Sequence, residues 1–581
     1  MRPLAALRIV LFVLFAVGVS PVWAAGVPAA PATAAAAATP AAAATTAAPA
    51  PAPAASALPS SRCLDCHANG ALGAPRVQPA TLAHSVHRGL QCADCHSTIR
   101  SLPHPAILPA VNCASCHGLE GRELAQGHHA RASQAAAAGA AATGAAAAGT
   151  STPTCVDCHG SHAVQPVGSA SFRDTIISTC GACHTQPYRG YLLTTHGQAA
   201  LLGDQAAPRC SDCHDPHAAR SPASPLSQVS SVNLLMTCGA CHSGATRAFT
   251  DFDPHPAPLD PARSRLVYAV QLFMIALLVG VFGFFGLHTL LWLQRSVVGK
   301  LRGELPAPAG RAGPYVRRFR PVDRATHIVV IVSFMLLALT GLPLLYADAP
   351  WAPWLIHAFG GVHTAHLIHL ANAAITFGYF LFHLCYLAWR ILVKKQTFRV
   401  FDPDSLVPRW RDLVDIGRNF RWFLYLGPRP QLDRWTYWEK FDYWAVFWGV
   451  AIIGLSGVLL AFPVATTQLL PGVSLNVALV VHGEEALLAT GFIFIFHFFH
   501  NHLRPENFPI DVTVFTGRVA LERFQEERPL QYRRLLEQGQ LQSVLVGPPS
   551  RFATVVSILF GYAVVLTGLA LVVLMIVSTR A

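Results

Sequence analysis

The pattern C-x-x-C-H occurs seven times between residues 63 and 242, as CLDCH (63–67), CADCH (92–96), CASCH (113–117), CVDCH (155–159), CGACH (180–184), CSDCH (210–214) and CGACH (238–242). Fourteen of the fifteen cysteines lie in these boxes. A disulfide framework needs no histidine after every second cysteine. Zinc sites made from paired C-x-x-C motifs use only some of their histidines. A histidine at one fixed offset in all seven boxes is the attachment signature of c-type haem. The sites of covalent haem c are then Cys63, Cys66, Cys92, Cys95, Cys113, Cys116, Cys155, Cys158, Cys180, Cys183, Cys210, Cys213, Cys238 and Cys241. The proximal iron ligands are His67, His96, His117, His159, His184, His214 and His242.

Residues 59–260 hold nine further histidines: His84, His87, His104, His128, His129, His162, His196, His217 and His255. With the close pairs His84/His87 and His128/His129 counted once each, seven places remain for seven irons. Two histidines per iron leave no open coordination position, which favours electron transfer over chemistry on a bound substrate. The pairings are not readable from sequence.

The same region has no ordinary core. From Pro59 to Leu259 there is no Trp, and the large aromatics are only Phe172, Tyr188, Tyr191, Phe249 and Phe252. So few rings bury little apolar area. The expected domain, residues 59–260, therefore has little regular secondary structure and wraps its porphyrins. The Ala/Gly/Thr tract at 131–150 reads as a flexible insertion between the third and fourth boxes. Upstream, Arg2 and Arg8 precede an apolar run ending at Ala24 and Ala25, the form of a secretory signal peptide over 1–24. Residues 25–58, nearly all Ala, Pro and Thr, read as a tether.

Beyond residue 265 the texture changes. Six apolar stretches, near 266–293, 327–346, 365–389, 443–462, 477–499 and 552–577, approach or exceed the about 20 residues that span a bilayer. Lys plus Arg number eight in 294–324, none in 347–362, eleven in 390–440, none in 463–476 and seven in 500–551. The positive-inside rule makes the three basic loops cytoplasmic, including 516–551, and puts the haem boxes in the periplasm, in agreement with the signal peptide. The net charge of +12 is thereby explained without nucleic acid.

Histidines in spanning helices are costly and commonly functional. His369 and His383 stand at i and i+14 on the third span, and His482 and His497 at i and i+15 on the fifth. Each pair sits on roughly one helix face with about 21–22 Å between members. That spacing suits two b-type haems stacked across the bilayer. His369 and His482 match in depth as an outer pair; His327, His383 and His288 are all candidates to pair with His497.

Residues 315–515 resemble the dihaem cytochrome b subunits of formate dehydrogenase (its gamma subunit) and of thiosulfate reductase-type complexes. The resemblance rests on RATHIVVIVSFMLLALTGLPL (324–344), GGVHTAHLIH (360–369), RWTYWEKFDYWAVFWGVAIIGLSGVLLAF (434–462) and the VHGEE…HFFHNHLRP run (481–505). It implies a four-helix core holding two haem b through His327, His369, His482 and His497, with His327 paired to His497. It also implies exchange with the membrane quinone pool. The chain departs from that pattern at His288, His363, His366 and His383, and in two flanking spans.

Smaller signals complete the reading. Glu484 and Glu485 are candidate quinol proton acceptors beside His482, or acids favouring a helix N-terminus. Lys440 is a candidate contact for a quinone or propionate, or an interfacial anchor. Residues 404–426 read as an interfacial amphipathic helix, and Cys385 as a small buried apolar residue. The fold class is mainly α: a haem-wrapping multihaem cytochrome c domain, then a six-span helical bundle with a four-helix cytochrome b core. The expected function is a bacterial inner-membrane quinol dehydrogenase with a periplasmic cytochrome or terminal reductase as partner. Reversed flow, or a relay subunit of a larger complex, are the alternatives.

Overall fold

A computed structural model describes residues 58–130, 153–303, 313–394, 401–507 and 510–578. The segments expected to be a signal peptide and, in nearly all its length, a tether lie outside these residues, as does the tract at 131–150. The chain divides into two compact units, one of Met1–Arg62 with Gln91–Pro109 and one of Cys63–Leu90 with Ala110–Ala581. In the first, Ser60 Oγ donates to Gln91 Oε1 at 2.8 Å and accepts from the Cys92 N–H at 3.0 Å, holding the second box. All else below concerns the second unit unless that box is named.

The box region is built of short helices, several of them single turns. Cysteines at i and i+3 share one face of a turn, and the boxes form such turns at Cys92–Cys95, Cys113–Ser115, Cys155–His159 and Cys210–Cys213. In three of the four boxes of the form C-x-D-C-H the aspartate caps its own turn. Asp94, Asp157 and Asp212 accept from the backbone N–H of Gln91, Thr154 and Arg209 at 2.6–2.8 Å. Isolated turns are not stable alone, and the small core here is Ile176, Ile177, Tyr191, Ala200 and Ala207.

Among the described residues, six helices are long and apolar enough to cross a membrane. Together with one of the shorter helices between them, they are α1 (Arg265–Leu301), α2 (Pro321–Leu345), α3 (Val362–Leu392), α4 (Trp410–Phe423), α5 (Tyr437–Ala461), α6 (Val473–Gly491, continuing to Leu503) and α7 (Arg551–Ser578). α6 is the most enclosed of the six spans and α3 the least. α2 pairs with α3 and α5 with α6, as two helical hairpins, and α1 lies along α6. The last part of α6 is π-helical, over Phe492–His497 and Phe499–Leu503.

α4 is amphipathic as its sequence predicts, but with its polar stripe turned inward. Asp412, Asp415 and Asn419 are buried, while Trp410, Leu413 and Val414 are exposed on the other face. This suits a helix lying at a lipid surface. Residues 516–551, read only as a cytoplasmic segment, carry a feature with no sequence signal. Strand β1 (Tyr315–Arg317) lies between β2 (Arg518–Ala520) and β3 (Leu545–Val546), antiparallel to both, with Val316 opposite Val519 and Leu545. Strands this short show no alternation to read. Cys385, expected buried, is exposed on α3.

Candidate redox site

Two imidazoles bonded to one iron by bonds of about 2.0 Å put their ring centres about 6.3 Å apart. Seven histidine pairs in the second unit have nearly this spacing. In the box region they are His87–His117 at 5.9 Å, His129–His184 at 6.2 Å, His159–His217 at 6.2 Å, His196–His242 at 6.0 Å and His214–His255 at 6.2 Å. Each joins one box histidine to one expected distal histidine. The candidates His84, His104, His128 and His162 are outside these five pairs, as are the box histidines His67 and His96.

Second contacts fix the tautomers. The Nδ1–H of His255 donates to the Pro187 carbonyl at 2.9 Å and that of His67 to the Pro75 carbonyl at 2.8 Å, leaving Nε2 to face a metal. The rare aromatics of this region cover proximal ligands, with Phe172 stacked on His159 at 5.4 Å and Phe249 against His242 at 4.8 Å. The fourth to seventh boxes adjoin in chain order. Cys158 interacts with Cys180 and Cys183, Cys180 is hydrogen-bonded to Cys210, and Cys213 interacts with Cys238 and Cys241. Boxes four to seven thus form an unbroken row.

The remaining two pairs are in the bundle: His369–His482 at 6.3 Å and His327–His497 at 6.5 Å. The outer pair is held in the same way on both sides. Thr340 Oγ1 is 3.0 Å from His369 Nδ1, while Ser456 Oγ and the Ile453 carbonyl are 3.3 and 3.0 Å from His482 Nδ1. The residue after each hydroxyl is glycine, and a Cβ on Gly341 or Gly457 would come within 3.0 Å of the ring Cε1 of His369 or His482. In the inner pair His497 Nδ1–H donates to Asp442 Oδ2 at 2.8 Å, and His327 Nδ1 is buried with no hydrogen-bond partner among the described residues. Two facing imidazoles with room for an iron, three of the four with the outer nitrogen restrained, fit haem b at both levels.

His288 and His383, the alternative partners for His497, are engaged elsewhere. His288 is fully buried in a directed chain. Asn419 Nδ2 donates to the Tyr437 hydroxyl at 2.8 Å, that hydroxyl donates to His288 Nε2, and His288 Nδ1–H donates to His500 Nε2 at 3.0 Å. His500 is in turn hydrogen-bonded to the Phe496 backbone. Both nitrogens of His288 are therefore used, and the chain ties α1 and α4 to the core. His383 Nε2 is 2.9 Å from the Tyr443 hydroxyl.

The three candidate proton or quinone residues separate. Lys440 is buried, and its Nζ donates to both oxygens of Asp412 on α4 at 3.0 and 2.8 Å. Glu484 Oε1 accepts from Gln271 Nε2 of α1 at 2.7 Å. Glu485 is buried and hydrogen-bonded to Trp448, but its Oε2 has no partner among the described residues. Sequence reasoning missed Asp412, Asp442, Tyr443, Thr340 and Ser456, because each acts on a side chain that belongs to another helix and lies far along the chain. The repeated hydroxyl–glycine step, T-G at 340 and S-G at 456, is the signal that could have found two of them.

The box region docks on the bundle through the segment that follows its seventh box and through Leu201 and Leu202. The Gly472 N–H, just before α6, donates to the Ala248 carbonyl at 2.9 Å. A side chain there would come within 2.6 Å of the Ala248 oxygen and the Phe252 nitrogen, so only glycine allows the approach. Asn476 accepts from the Asp253 N–H and donates to its carbonyl, both at 2.9 Å. Leu201 and Leu202 pack on Ala347, Ala352 and Ile356, between α2 and α3.

Residues 30–97 and 112–185 match the family of cytochrome c554 and c-prime. That family implies covalent haem c. The match, taken with six membrane-length helices, describes a membrane-bound electron-transfer cytochrome. No curated protein matches the chain.

Proposed function

We propose that the chain is a bacterial inner-membrane quinol dehydrogenase of anaerobic respiration. It takes electrons from the quinone pool through two b haems to seven periplasmic c haems, and on to a soluble cytochrome or terminal reductase. The observation that carries this reading is one ring-centre spacing, 5.9–6.5 Å, repeated in five box-region pairs and two bundle pairs.

Haem, when bound, supplies the one-electron carriers. The protein's own residues do the rest. The box cysteines anchor the porphyrins, and His87, His217, His129, His255 and His196 are the distal partners of the third to seventh boxes. His369 with His482, and His327 with His497, are the membrane ligands. Thr340, Ser456 and Asp442 hold the outer nitrogens of His369, His482 and His497, which fixes ring orientation and ligand basicity. Glu485 keeps a carboxylate oxygen unengaged near the outer pair, whereas Lys440 and Glu484 are structural. The box region meets the bundle at the loops without Lys or Arg, and the charge pattern assigns that side to the periplasm.

The decisive measurement is a pyridine haemochrome assay on the purified chain. Seven covalent and two extractable haems are expected, with the latter reduced first on adding quinol. Covalent haem without extractable protohaem would reduce the bundle to an anchor and end this reading.

A further inference from the structure

The two central hairpins repeat one another. In the first, Gly341 of α2 stands at i+14 from His327; in the second, Gly457 of α5 stands at i+14 from Tyr443. On the returning helices, His383 stands at i+14 from His369, and His497 at i+15 from His482. The odd residue falls in the π-helical part of α6, where an added residue is absorbed without turning later side chains to another face.

Under this repeat, His369 and His482 are each other's counterparts, and their shared site lies between the hairpins. The inner pair is different. Its members, His327 and His497, have Tyr443 and His383 as counterparts. These two are in contact as the repeat requires, with ring centres 5.8 Å apart and the Tyr443 hydroxyl 2.9 Å from His383 Nε2. The contact is closed, because an iron between two ligand atoms would need about 4 Å. The bundle thus contains a second inner site, related to the first, that holds a hydroxyl–imidazole pair instead of two imidazoles.

We propose that His383 and Tyr443 bind the head group of a quinol, an assignment that rests on the reading of the bundle as quinol-reactive. Both side chains are half-exposed at the seam of α3 and α5, within the span, where a polar pair is costly unless used. A hydroxyl donor beside an imidazole acceptor complements a ring bearing hydroxyl or carbonyl oxygens. The seam is walled by rings suited to a flat head group: Phe447 lies 6.1 Å from His383 and 5.0 Å from Tyr443, with Trp444 and Phe380 5.3 and 5.2 Å from Phe447. Trp444 and Phe382 are exposed at its mouth, on the side a lipid-soluble ligand approaches from. Asp442, next to Tyr443 on α5, receives the Nδ1–H of His497, so the site adjoins the inner pair through one residue.

The test is a fluorescence-quench titration of detergent-solubilised holoprotein with 2-heptyl-4-hydroxyquinoline N-oxide as head-group probe. His383→Ala is expected to weaken binding at least tenfold and Tyr443→Phe about fivefold. Both should keep the wild-type content of extractable haem, which certifies the fold. If the wild type binds the probe and both variants bind as tightly, the assignment to this pair is overturned while the quinol reading stands. If the wild type neither binds the probe nor oxidises quinol, the quinol reading fails first.

Discussion

Gly457 and Gly341 each leave space that their neighbouring helix fills with a histidine ring. A valine at Gly457 would put its Cβ and two methyl groups where His482 Cε1 lies, 3.0 Å away, and core overpacking of this kind costs about 1–3 kcal/mol. The ring can escape only by rotating out of line with His369. Gly457→Val is therefore expected to lower extractable haem from two to one per chain with covalent haem unchanged, measured by haemochrome. Loss of both, or of neither, would contradict the placement. His288 makes the opposite prediction. His288→Phe leaves the Tyr437 hydroxyl and His500 Nε2 without their partner, at about 1–3 kcal/mol each. Thermal midpoint should fall by several degrees while extractable haem stays at the wild-type level. The contrast shows what the sequence could convey. The C-x-x-C-H boxes and the depth-matched His369 and His482 were legible because their spacing is itself the chemistry. His288 and His383 were not separable from His327 by depth, since only the partners Tyr437, His500 and Tyr443 distinguish them, and those contacts are set by packing.

At the level of elements, length and apolarity announced all six spans, and the amphipathic stretch announced α4. Which way α4 faces was not announced. Its inward Asp412 meets Lys440 of α5, so a lysine that sequence places at an interface is enclosed by its counter-ion. The segment after α6 illustrates another unreadable element. Arg523 donates to Asp511 at 2.9 Å and to Glu527 at 3.1 Å, beside the short sheet of β1, β2 and β3. Burial opposes ionisation of Asp511 and Glu527, but the Arg523 guanidinium, together with the Thr513 hydrogen bonds to Asp511 and the Arg504 and Arg528 charges near Glu527, outweighs it and holds both carboxyls below the usual carboxylate range. A depressed pKa gives stability that is complete above the unfolded value, about 4, and is lost as pH falls through the folded one. Arg523→Gln is thus expected to lower the thermal midpoint at neutral pH, with the difference from wild type shrinking once the medium is more acidic than that unfolded value. A gap that stayed constant on acidification would show that the arginine acts only through packing.

For the molecule as a whole, the critical join is the one between the seventh box and α6. The Gly472–Ala248 and Asn476–Asp253 hydrogen bonds hold Phe249, and with it His242, against the loop that leads to His482. Asn476→Leu removes two of these bonds and leaves both haem-binding regions intact. On mixing with quinol, the extractable haems should be reduced at the wild-type rate and the covalent ones at least several-fold more slowly. Equal slowing of both would place the defect in the bundle instead. The doubled hairpin has a consequence of its own for descent. A tyrosine codon becomes a histidine codon by changing one base, and at position 443 that change would supply the imidazole that the counterpart helix carries at His327. This membrane scaffold therefore stands a single nucleotide from an additional porphyrin cradle, and keeping the phenol is what leaves that berth to a diffusible carrier.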